Sequence, residues 1–155
     1  MSGADRSAWD ALRHEVERGG ARPHVIDTLI GRLPDRRDAG ATAALLSLLS
    51  DRGPCDEAMF SILHAAEAAG DATYVAGLLE SVETLATAAP RWASIVLMRV
   101  LNHEGSRDAL VRQVRAAPVA VKEAVRSLAE RIDAASSKFR NRTAPVILAA
   151  SRRLF

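Results

Sequence analysis

PRWASIVLMRVLN, residues 90–102, opens on a proline and continues through Trp92, Ala93, Ile95, Val96, Leu97, Met98, Val100 and Leu101 without a second helix breaker. Proline suits the first position of an α-helix, because the N–H it lacks has no intrahelical partner there. A helix apolar almost all round is expected to be central and buried. Arg99 is the one charge in its interior. An unpaired guanidinium in an apolar core is very costly, so Arg99 must meet a carboxylate or reach water. Glu67 is the expected partner, with Asn102 satisfying nearby backbone. Glu67, Trp92, Arg99 and Asn102 are therefore read as residues that maintain the fold.

Working outward, the same helical signature recurs. Upstream, 56–69 begins at Asp56, a good N-cap, and carries Met59, Ile62, Leu63 and Ala66 on one face before Gly70. Asp71 is expected to cap a following helix, with Val75, Leu78, Leu79, Val82 and Leu85 at helical spacing. Three more helices are expected nearer the N-terminus, over 5–18, 23–33 and 41–50. They are separated by Gly19-Gly20 and Pro34, with Gly53-Pro54 closing the third. Downstream, helices are expected over 106–116, over 118–133 with Val121, Val125, Leu128 and Ile132 inward, and over 144–154. No stretch alternates long enough to make a strand. The expected fold is all-α: eight or nine short helices in stacked antiparallel pairs, HEAT-like, or an irregular helical bundle. Residues 1–133 read as one helical domain and 134–155 as a basic C-terminal tail with a short helix.

Composition excludes several classes. Hydrophobic residues make up 48% and charged residues 26%, a folded rather than a disordered balance. No apolar run is long enough to span a bilayer, and the N-terminus has no secretory h-region. Cys55 is the only cysteine, so neither an intrachain disulfide nor a cysteine zinc site can form. A cytoplasmic protein is expected. No phosphate loop, dinucleotide fingerprint or nucleophile elbow is present, so no enzyme activity and no cofactor are expected. His64 and Glu67 have i,i+3 spacing, but two ligands do not make a metal site, and none is expected.

Charge is unevenly placed. Residues 53–90 carry six acids (Asp56, Glu57, Glu67, Asp71, Glu80, Glu83) and no lysine or arginine, whereas 134–155 carry five bases and no acid. An ordinary helical surface mixes signs to gain i,i+4 pairs. A surface that gives up that support fits a basic partner, since complementary charge speeds capture and selects the partner; a plain solvated face is the alternative. Glu57, Asp71, Glu80 and Glu83 are the candidate contacts, with His64 and Tyr74 as candidate central ones. The basic tail lacks the interleaved aromatics of a nucleic-acid binder, so nucleic acid is not the expected partner.

The block MFSILHAAE (59–67), Tyr74 with LLESV (78–82), and AAPRWASIVLMRVLN (88–102) resemble the helical immunity proteins of bacterial polymorphic toxin systems, including contact-dependent growth inhibition. The shared core pairs a helix of the L-H-x-x-E type with a later A-P-x-W-A segment ending in R-x-L-N. The resemblance covers roughly residues 57–131. It implies a non-enzymatic protein that binds the C-terminal toxin domain of a cognate effector and blocks it inside the producing cell. Many such toxins are nucleases, whose basic clefts an acidic inhibitor can occupy. The alternative is a helical-repeat scaffold or adaptor that binds a host protein or nucleic acid.

Overall fold

The computed structural model describes residues 2–151. Among them are nine α-helices, one 3₁₀ turn (Ser137–Phe139) and no strand: α1 (Gly3–Glu17), α2 (Pro23–Gly31), α3 (Ala39–Leu46), α4 (Asp56–Glu67), α5 (Asp71–Ala88), α6 (Pro90–Asn102), α7 (Glu104–Arg115), α8 (Val119–Ala135) and α9 (Arg140–Ser151). The fold is all-α, as the sequence predicts.

Helix starts follow local chemistry. Ser2 and Asp5 form a reciprocal capping box on α1, and the Asp38 side chain accepts from the Ala41 N–H at the start of α3. Asp56 and Asp71, expected as caps, are instead the first helical residues. Cys55 and Gly70 hold the cap positions without a side-chain bond, Gly70 at φ +91°. The predicted helix over 144–154 begins earlier, at Arg140, with Pro145 inside it, and its last residues fall outside the described ones.

Consecutive helices pair across short turns, and the pairs stack in two layers. In one layer α3, α5, α7 and α9 pack in succession; in the other α2 packs on α4, and α6 on α8. The centre is α5, which touches α3, α6, α7 and α8. That corrects the expectation for α6. Its Trp92, Ala93, Val96, Leu97, Val100 and Leu101 are buried, but Ile95, Met98 and Arg99 are only partly covered, and Arg91 and Asn102 are exposed. Hydrophobic residues on most sides of a helix do not require burial on all sides, since aliphatic surface is common in folded proteins.

The predicted apolar stripes of α4, α5 and α8 lie in one continuous core, in which Met59, Ile62, Leu63, Val75 and Trp92 are fully buried. Helix α9 lies on α7 and α8 through Thr143, Val146, Ala149 and Ala150. The Thr143 hydroxyl donates to Asp133 at 2.5 Å, and Arg142 donates to the side-chain oxygen of Asn102.

Candidate partner-binding site

Helices α4 and α6 run side by side in the same direction, and large side chains span the gap between them. Near one end Arg91 donates to both carboxylate oxygens of Asp56, at 2.6 and 3.1 Å. In the middle Phe60 meets Trp92 edge-on, with ring centroids 4.9 Å apart. Near the other end Arg99 donates to Glu67 through Nε at 2.9 Å and through one Nη at 2.8 Å. The two guanidinium groups also lie over the rings of Trp92 and Phe60, at 5.5 and 5.9 Å. Arg91 holds the Asp56 carboxyl below the usual carboxylate range, and Glu67 pushes the Arg99 guanidinium up.

The six carboxylates of residues 53–90 therefore do not form one uniform face. Asp56 and Glu67 are neutralised by arginines from α6. Asp71 faces His103 Nε2 at 3.5 Å, a partner that is cationic only when protonated. Glu57, Glu80 and Glu83 are exposed and make no ion pair among the described residues. Helices α4 and α5 lie in different layers and make little direct contact, so Glu57 stands apart from Glu80 and Glu83. His64 is exposed on α4, with its ring 6.1 Å from that of Phe60.

Other named residues converge. The end of α4, the start of α5, the end of α6 and the start of α7 surround an open cavity of about 440 Å³. Glu67, Asp71, Tyr74, Arg99, Asn102 and His103 line it. Tyr74 is 4% exposed, and its hydroxyl has no hydrogen-bond partner among the described residues. Burial is the main cause that pushes the phenol pKa up, helped by the Glu67 charge and opposed by Arg99, so it stays protonated. The Asp71 carboxylate lies directly against Gly105, where any side chain would displace it. Among the described residues no group of His, Cys, Asp and Glu is placed to hold a metal, and no helix is long and apolar enough to cross a membrane.

Sequence reading missed Asp51 and His103. Asp51 accepts from the backbone N–H of Arg91 and Trp92, at 2.9 and 3.0 Å, and so caps α6 from a distant loop. No local spacing announces such a cap. His103 had only its place after the R-x-L-N motif to mark it.

Paired helices in two layers, with ion pairs bridging α4 to α6 and a polar cavity at their ends, make up an all-α protein. The family model described as Immunity protein 30 matches residues 20–110, and the chain belongs to that family. The match takes in α2 and α3, which precede the resembling segment, and ends within α7. No curated protein and no solved structure matches the chain. An immunity protein's partner is a cognate toxin protein, and the family is generally non-catalytic.

Proposed function

We propose that this chain neutralises the toxin domain of a cognate effector in the cytoplasm of the producing cell, as in contact-dependent growth inhibition, by covering the basic substrate cleft of a nuclease. The observation that supports this reading is the pair Glu80 and Glu83, exposed and in no ion pair among the described residues, in a segment with no lysine or arginine; Glu57 is likewise exposed, on α4. Glu80 and Glu83 lie one turn apart on the outer side of α5, beside exposed Thr84 and Thr87. Like charges so close repel one another until a cation covers them. A basic cleft supplies that cover, and the field ahead of contact raises the rate of encounter. Occupying the cleft excludes the substrate without any bond being made or broken.

The test is the double variant Glu80→Lys/Glu83→Lys, co-expressed with the cognate toxin domain. Association should slow by about tenfold or more, protection should fall, and the helical circular dichroism signal and melting temperature should stay unchanged. Undiminished protection by a folded double variant would overturn the acidic-surface mechanism.

A further inference from the structure

We infer that the cavity between the ends of α4, α5, α6 and α7 receives a cationic side chain, lysine or arginine, from the partner; this rests on the toxin-binding reading above. Two observations carry it. The first is the Tyr74 hydroxyl, buried at the cavity wall with no partner among the described residues. Buried hydroxyls are normally hydrogen-bonded, so one left alone calls for an explanation, and a donor brought in by a partner supplies one. The second is the charge of the lining. Both Glu67 oxygens are engaged by Arg99, and the Arg142 guanidinium at the rim is held by Asn102, which leaves Asp71 facing a histidine at 3.5 Å and in no ion pair with an arginine or lysine among the described residues.

The fit is chemical as well as electrostatic. An ammonium or guanidinium group donates and does not accept. Asp71 offers it a carboxylate, and Tyr74 an oxygen lone pair. An anionic side chain would instead meet the Asp71 carboxylate, with the Arg99 and Arg142 guanidinium groups already engaged by Glu67 and Asn102. Gly105 keeps the place clear in which the Asp71 carboxylate lies.

Two sets of measurements decide the matter on the full chain. In the first, N-acetyl-arginine amide is titrated into isotopically labelled protein and followed by NMR, with N-acetyl-glutamine amide as the neutral control. The arginine probe should shift the Asp71, Tyr74, Asn102 and His103 signals saturably, and Asp71→Asn should abolish the effect. Equal shifts from both probes, or none localised there, would overturn the inference. Tyr74→Phe should melt no lower than the parent and bind the arginine probe several-fold more weakly. A lower melting temperature with unchanged probe binding would assign the hydroxyl to structure alone and overturn the inference. In the second set, Asp71→Asn should weaken toxin binding by about tenfold, mostly through faster dissociation. If wild type and Asp71→Asn bind the toxin equally, the cavity assignment fails and toxin binding stands. If the wild type fails to bind it, the toxin reading fails, and the arginine titration still decides the cavity.

Discussion

Thr42 of α3 fills the space beside Gly77 of α5 that a side chain would need. A Cβ on Gly77 would lie 2.5 Å from both Cβ and Cγ2 of Thr42 and 2.9 Å from the backbone oxygen of Ala39. The Thr42 hydroxyl donates to the Asp38 carbonyl at 3.1 Å, so the side chain is held in place. A glycine inside a helix costs about 1 kcal/mol relative to alanine; here it allows α3 to approach the central helix closely. Gly77→Ala should therefore destabilise the protein by about 1–3 kcal/mol despite its better helix propensity. A denaturation midpoint equal to or above that of the parent would refute this.

Glu15 is buried in the last turn of α1 and accepts three hydrogen bonds from Arg22: from the backbone N–H at 2.9 Å, from Nε at 3.1 Å and from one Nη at 2.8 Å. These bonds lower its pKa from 4.5 to about 2. The folded state thus prefers the ionised form. Its stabilisation is complete above pH 4.5 and is lost as the pH falls towards about 2. The difference in melting temperature between wild type and Glu15→Gln should be greatest above that window and shrink through it. A difference independent of pH would refute the linkage.

Arg99 is 39% exposed in its side chain and Glu67 26%, so their pair belongs neither to the surface nor to the dry core. Exposed pairs contribute up to about 1 kcal/mol, whereas breaking a buried one costs about 3–5 kcal/mol. Arg99→Ala should cost about 1–2 kcal/mol, within that interval. Arg99→Lys should recover only part of it, because an ammonium cannot reproduce the two-pronged contact. A melting temperature equal to wild type for Arg99→Ala would refute the tie between α4 and α6.

Asp51 serves α6 as a cap supplied from outside, where Ala89 and Pro90 offer no side-chain acceptor of their own. Asp51→Ala should destabilise the protein by about 1–2 kcal/mol, the loss typical of a helix cap. Amide exchange should speed up first at Arg91 and Trp92, and unchanged protection there would count against the assignment.

Much of the fold is legible in the sequence because helical periodicity is local. Met59, Ile62, Leu63 and Ala66 in α4, and Val121, Val125, Leu128 and Ile132 in α8, are predicted core residues and are buried. Pro90 marks the start of α6 correctly. The layer order is not legible, because which helix covers which face depends on contacts far apart along the chain. For that reason α6 reads as central when α5 is. Counting charges along a segment has the same limit. It finds no cation in 53–90, yet Arg91 and Arg99 reach back from the next helix to Asp56 and Glu67. The pairing of Arg99 with Glu67 is legible because few carboxylates could meet a charge on so apolar a helix. Tyr74 reads as an interface aromatic, but the periodicity of α5 places it beside buried Val75 and Leu78.

Helix α5 leans on α8 as well as on α3, and the segment shared with the family stops inside α7. A recombinant fragment trimmed to that segment would lose α8 and half of α7, laying bare the apolar flanks of α5 and α6. Such a piece is expected to aggregate rather than fold. Boundaries for producing the protein, or for grafting its surface onto another scaffold, belong beyond Ala150.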